Sequence, residues 1–255
     1  MRVLVLGGST ESSELSPLLA ADGRFEVVLS LAGRTLNPKK QPVPLRSGGF
    51  GGINGLVAWL RENRTEAVID ATHPFAAQMS ANVVEACAQL GLPLASIDRP
   101  AWQPQPGDHW VSVDSAAEAA LAISETPRRV LLTVGRLELS AFTSAPQHRY
   151  VARMVDAPGD MALPPDMKVL LARGPFDAAS EAALLDDENI EVVVSKNSGG
   201  SAAFAKIAAA RERGLVVVMI ARPHKPRGEL MPNPVDAMAW LDRLHQTLSR
   251  SARGV

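Results

Sequence analysis

Short, continuous apolar runs alternate along the chain with longer stretches that repeat an apolar residue every three to four positions. The runs at 3–6, 27–31, 67–70 and 94–97 predict buried strands, and the stretches 12–21, 53–63 and 76–90 predict the helices between them. The segment Gln103-Pro104-Gln105-Pro106-Gly107 suits neither period and reads as a linker. Alternation then resumes, with strands over 130–134, 168–172, 192–195 and 215–220 and helices over 178–185, 202–213 and 235–248. The stretch 148–155 reads either as an antiparallel strand or as a link. In the last helix Val235, Met238, Leu241, Leu244 and Leu248 share one face, so it should dock on a domain. Strands apolar on both faces predict an α/β fold with mainly parallel sheets covered on both sides.

The two halves resemble each other. Val3-Leu4-Val5-Leu6-Gly7-Gly8 aligns with Val130-Leu131-Leu132-Thr133-Val134-Gly135, residues 66–70 with 191–195, and residues 91–100 with 214–223. Three matches in one order, at an offset near half the chain, predict two related domains. Their expected bounds are 1–103 and 104–255, the second including the C-terminal helix. Parallel sheets bind ligands beyond the carboxyl ends of their strands. The loops 7–11, 71–75, 135–138 and 196–201 are therefore expected to face an interdomain cleft.

Composition narrows the functions. The chain has 255 residues, 46% hydrophobic and 21% charged, which excludes a disordered polymer. A net charge of −1 supplies no basic field for nucleic acid or an anionic membrane, and neither is expected as a partner. A single cysteine, Cys87, forms no internal disulfide and no multi-thiolate metal site, so no metal is expected. The start of the chain reads as a strand rather than a signal peptide, and the expected location is cytoplasmic. Twenty of the 26 basic residues are arginine, which fits either coding bias or a need for planar forks on carboxylates and phosphates.

Candidate chemistry gathers at the predicted strand ends. Gly7-Gly8-Ser9-Thr10-Glu11 leaves the first strand and opens a helix, where glycines and free N–H groups suit a nucleotide phosphate. Glu11 is placed to cap the helix or contact a ribose. The second strand ends Ser30-Leu31-Ala32-Gly33-Arg34-Thr35 without the acid that holds an NAD ribose, so Ser30 and Arg34 favour the 2′-phosphate of NADPH. Gly48, Gly49, Phe50 and Gly51 lie in a loop that reads as a close backbone approach to cofactor or as a hinge. Asp70-Ala71-Thr72-His73-Pro74-Phe75 leaves a strand, with Pro74 suited to a first helical turn and Thr72 or His73 to its cap. In the second half Arg136, Arg173, Lys196, Arg222 and Lys225, with Ser198 and Gly199, form a candidate cradle for a polyanionic small ligand.

Six segments then occur in order: Leu6-Gly7-Gly8-Ser9-Thr10-Glu11, Arg46-Ser47-Gly48-Gly49-Phe50-Gly51-Gly52, Asp70-Ala71-Thr72-His73-Pro74-Phe75-Ala76, Arg99-Pro100-Ala101-Trp102, Gly174-Pro175-Phe176 and Lys196-Asn197-Ser198-Gly199-Gly200. Over nearly the whole chain this pattern resembles the precorrin-6A reductase family of cobalamin biosynthesis. The family often has threonine directly after the first two glycines, where this chain has Ser9 before Thr10. The resemblance implies two Rossmann-like domains, with a segment able to cross and complete the partner's sheet. It implies NADPH-dependent reduction of the C18=C19 bond of precorrin-6A, a corrin precursor (tetrapyrrole) with acetate and propionate arms, to precorrin-6B. Hand-over to neighbouring pathway enzymes belongs to the same picture. His73 and Thr72 become candidate catalytic residues, with His73, Tyr150 and a water all open as proton donor. Two alternatives remain: an NADPH-dependent reductase of a small carbonyl, although Tyr150 is followed by Met154 and so makes no Tyr-x-x-x-Lys pair, and a non-catalytic NADP sensor.

Overall fold

Strand β1 (Arg2–Leu6) shows why the apolar runs are continuous. Val3 and Val5 pack with Leu15 and Leu19 of α1 (Thr10–Ala20) and Leu241 of α7 (Pro234–Ser251). Leu4 and Leu6 pack with Leu56 and Leu60 of α2 (Gly52–Glu62) and Val83 of α3 (Ala77–Leu90). Both faces of the strand are covered, so both must be apolar. The structure is a computed structural model and describes residues 1–33, 35 and 38–251.

The chain divides into two compact units, Met1–Arg99 with His224–Val255, and Pro100–Pro223. The first holds a six-stranded, wholly parallel sheet of β1, β2 (Glu26–Leu31), β3 (Leu45–Ser47), β4 (Ala67–Asp70), β5 (Leu94–Ile97) and β12 (Glu229–Met231), in the order β12-β5-β4-β1-β2-β3. The second holds β6 (His109–Val113), β7 (Arg129–Thr133), β8 (Arg149–Met154), β9 (Met167–Leu171), β10 (Val192–Lys196) and β11 (Val216–Ile220), also parallel, in the order β6-β11-β10-β7-β8-β9. Here α5 (Ala178–Asp187) and α6 (Ala205–Glu212) cover one face through Leu185 and Ile207, while α4 (Ala116–Ala122) packs on β11 and on a 3-10 helix, Arg136–Ser144.

These orders expose a reciprocal exchange. After β5 the chain leaves the first sheet and supplies β6, with α4, to the edge of the second. After β11 it returns to supply β12, with α7, to the corresponding edge of the first. Each unit thus has the strand order of a dinucleotide-binding sheet, with its sixth strand drawn from the far half of the chain.

Several expectations change. The C-terminal segment from His224 belongs to the first unit rather than the second, because β12 pairs with β5 and α7 packs on α1. The buried face of α7 is Ala237, Trp240 and Leu241, with Val235 and Leu248 exposed. The stretch 148–155 is a parallel strand between β7 and β9. Helix α3 starts at Ala77 after Ala76, with no side-chain cap, so Pro74 lies in the preceding turn and neither Thr72 nor His73 caps it. No helix among the described residues is long and apolar enough to cross a membrane.

Candidate active site

The β1–α1 turn is built for close approach. A Cβ on Gly7 would stand 2.7 Å from Leu29 Cδ1, so a larger residue there would have to displace that side chain, and Gly8 has φ +125 with nothing within 4 Å of a built Cβ. Ser9 caps α1: its Oγ accepts from the Ser12 N–H at 3.2 Å and donates to the Ala71 carbonyl at 2.8 Å. Ser12 Oγ in turn accepts from the Gly8 and Ser9 N–H groups. The serine pair therefore holds the turn against the loop after β4. Thr10 opens the helix and is exposed.

Glu11 is not the helix cap, which is Ser9. It is gripped by Arg99, whose Nη1 donates to both carboxylate oxygens at 2.8 and 2.6 Å. Burial pushes the Glu11 carboxyl up, but the Arg99 hydrogen bond, the helix-start backbone, the Arg99 charge and Ser9 together hold it below its ordinary value. The pair's contribution is thus present above the ordinary carboxylate range and is lost as pH falls through the lowered folded value. Arg99→Met should cost about 1.5–3 kcal/mol at neutral pH, and progressively less as pH falls through the lowered Glu11 value. Urea unfolding across a falling pH series checks this, and a pH-independent loss would mean that Arg99 acts through packing.

At the end of β2, Ser30 is buried, and it pairs in register with Arg46 of β3. Arg46 is the residue that local sequence reasoning passed over. Its guanidinium donates to Ser30 Oγ at 3.2 Å, to Gly48 O at 2.5 Å and to Gly49 O at 2.6 Å, and lies 3.7 Å over the Phe50 ring. Gly48 N–H is also bonded to Leu31 O, so the start of the glycine loop is tied to β2. Arg34 lies outside the described residues.

After β4, Asp70 is 1% exposed and organises its surroundings. The Thr72 N–H and Oγ donate to Oδ1 at 3.0 and 2.6 Å, Ser80 Oγ donates to Oδ2 at 2.5 Å, and Lys225 Nζ is 3.6 Å away. The Thr72 hydroxyl is therefore a donor to a buried carboxylate, which fixes the start of the turn that leads to His73. His73 Nδ1 accepts from the Phe75 N–H at 3.3 Å, which places its ring proton on Nε2. Lys225 belongs to this cluster in the first unit, against the expectation that it joins the second-unit cations.

In the second unit the loop after β10 is clamped. Asn197 exchanges hydrogen bonds with the Trp102 main chain at 2.8 and 3.0 Å, and Trp102 Nε1 donates to Gly200 O. Arg222 donates to the carbonyls of Asn197, Ser198 and Pro100, so it clamps the loop. Gly199 has φ +64, and a Cβ there would meet Pro100 O at 2.1 Å. Ser198 is buried in the same loop. Lys196 donates to Glu138 Oε1, and Arg136 and Arg173 lie exposed at the carboxyl ends of β7 and β9. Tyr150 is withdrawn as a proton donor: it is 1% exposed, its hydroxyl donates to Ala145 O, and burial pushes it up to about 12.

Two parallel sheets of dinucleotide-binding order, a glycine turn entering a helix and a second strand that ends without an acid define a Rossmann-like protein of the dinucleotide-binding kind. A family model described as Precorrin-6x reductase CbiJ/CobK matches residues 2–242, and the chain belongs to that family, whose members act on a ring C=C double bond. The chain is 48% identical over 240 residues to a precorrin-6A reductase of Rhodobacter capsulatus, covering 94% of this chain and 95% of that one. It is 49% identical over 221 residues to one of Sinorhizobium sp, covering 87% and 85%. A solved structure named CobK precorrin-6A reductase superposes with a TM-score of 0.90 at 48% identity, covering 96% of this chain and 97% of that one.

Proposed function

We propose that the chain reduces the C18=C19 bond of precorrin-6A with NADPH to give precorrin-6B. The observation that carries this reading is full-length similarity to proteins named precorrin-6A reductase, on a fold whose β2 end holds Ser30 and Arg46 in place of an acid. The open space over Gly8, at the start of α1, fits a pyrophosphate. NADPH, when bound, supplies the hydride. The chain supplies the rest. Residues 7–10 hold the pyrophosphate, Arg34 contributes charge after β2, and the loop of Gly48, Gly49, Phe50 and Gly51 lines the approach. His73, fixed by Phe75 and by the Asp70–Thr72 bonds, is assigned the proton that reaches the neighbouring ring carbon. Arg136, Arg173 and Lys196 receive the macrocycle's carboxylates. A cytoplasmic setting suits the lone thiol of Cys87, which is buried.

Anaerobic mixing with NADPH and precorrin-6A should change the tetrapyrrole spectrum. No change with that substrate, but turnover of a small carbonyl, would favour the carbonyl alternative. NADP⁺ binding without turnover of either would favour the sensor.

Lys196→Ala tests the substrate side. It deletes a cation and leaves Glu138 facing the incoming carboxylates, so two effects act in one direction. Macrocycle affinity should fall by about tenfold or more, as for a lost hydrogen bond to a charged group, with NADP⁺ affinity unchanged. Paired titrations check this. Lost NADP⁺ binding with intact macrocycle binding would reverse the assignment of the two units.

A further inference from the structure

The duplicated units carry one device twice. Pairing Val3 with Val27 in the first sheet and Val130 with Tyr150 in the second aligns Ser30 with Arg153 at the carboxyl end of the second strand. In both units a guanidinium stands there. Arg46 reaches Ser30 Oγ from β3 and lies 3.7 Å over Phe50; Arg153 starts from β8 itself and lies 3.8 Å over Phe176. The two phenylalanines hold corresponding positions, just before α2 and just before α5.

The platforms differ in their counter-ions. Arg153 Nη2 donates to Glu181 Oε1 at 2.7 Å, within a pair whose side chains are 9% and 1% exposed. At the matching position of α2 stands Gly55, where a built Cβ would lie 1.7 Å from Phe50 O. No side chain fits there, so the acid that neutralises Arg153 has no counterpart beside Arg46. Among the described residues Arg46 makes no ion pair: its bonds go to a hydroxyl and two carbonyls, and burial alone acts on it, lowering its pKa. A half-buried cation without a carboxylate, at the end of the second strand of a dinucleotide-binding sheet, stands where an adenosine 2′-phosphate is read.

We infer that Arg46 reads the 2′-phosphate of the nucleotide in the first unit, and that Glu181 closes the equivalent platform of the second, so that the duplicated chain takes one nucleotide. This rests on the NADPH reading above. The flat Arg46–Phe50 stack presents the guanidinium to phosphate while its carbonyl bonds hold the fork in place. In the second unit an anion would have to displace a buried carboxylate from its arginine.

The test uses adenosine 2′,5′-bisphosphate and 5′-AMP, titrated calorimetrically into the full chain. Wild type should prefer the bisphosphate, at one site per chain. Arg46→Met should weaken the bisphosphate by about tenfold or more and leave 5′-AMP within about twofold. Because Arg46 also braces its loop, Ser30→Asp is a second variant with Arg46 retained. A carboxylate beside the guanidinium should remove the same discrimination, as Glu181 does for Arg153, and shift preference towards NADH. Retained discrimination in both variants, equal loss of both ligands in both, or two sites in wild type would overturn the inference. If Arg34→Met alone abolishes discrimination, Arg34 is the reader and the inference fails while the NADPH reading stands. If wild type itself does not discriminate, the NADPH reading fails first and the inference with it.

Discussion

Asp70→Ala should destabilise the protein by about 3–5 kcal/mol, the scale for removing one partner of a buried charge pair. The carboxylate is 1% exposed and serves Thr72, Ser80 and the Lys225 ammonium, whose own side chain is 9% exposed. Alanine would strand that ammonium and leave two hydroxyls and an N–H without their acceptor. The damage would reach beyond β4. Lys225 lies in the segment that returns to form β12, so the substitution loosens the clip between that segment and the first sheet. Thr72 would release the turn that carries His73, and kcat should fall together with stability. Denaturant unfolding of Asp70→Ala, Asp70→Asn and Lys225→Met, with the double variant, checks the argument. The asparagine, which keeps the shape and one acceptor oxygen, should cost less than alanine. Additive losses for Asp70 and Lys225 would show that the two do not interact.

Glu181→Ala is the second large effect, again about 3–5 kcal/mol. Glu181 is the carboxylate for Arg153 and lies close enough to Lys206 to raise its pKa, while its Oε2 has no hydrogen-bond partner among the described residues. Lys206 is 5% exposed and donates to Ala203 O beside the Trp102 ring. Burial pushes the Lys206 ammonium down to about 8, against the pull of Glu181 and with a push from Arg153. A lysine whose folded pKa lies below its unfolded value of 10.5 makes the unfolded state bind more protons between those two values. Its contribution to stability therefore rises with pH across that window. The Glu181→Ala penalty should accordingly be smaller near pH 10 than near pH 7, because only Arg153 then remains charged without its partner. Unfolding free energies of both proteins at the two pH values decide it. A penalty that grows with pH would mean that Glu181 does not compensate Lys206.

Much of the candidate site was legible one strand end at a time. The turn at Gly7 and Gly8, the Asp70–Phe75 segment and the Lys196–Gly199 loop each follow an apolar run that can only be a buried parallel strand, and the carboxyl ends of such strands are where ligands sit. Side chains whose partners lie far along the chain were not legible. Arg222 and Lys225 read as loop cations in sequence, but one clamps carbonyls on the loop after β10 and the other meets a carboxylate at the end of β4. Arg46 read as the flank of a glycine loop until β3 placed it beside Ser30.

The sequence by itself determined the α/β class, the duplication, the parallel strands at the centre of each sheet and the family. Those features rest on local periodicity and on short motifs, which need no knowledge of distant contacts. Tertiary structure alone decided the edges. Strands β6 and β12 are short and largely exposed, and hydrogen bonding to β11 and β5 makes them strands. An edge strand is specified by the neighbour whose free N–H and C=O groups it satisfies, and that neighbour lies in the other half of the chain. For the same reason the final helix, amphipathic in sequence, could be predicted to dock, while only the return of β12 determined which unit it covers.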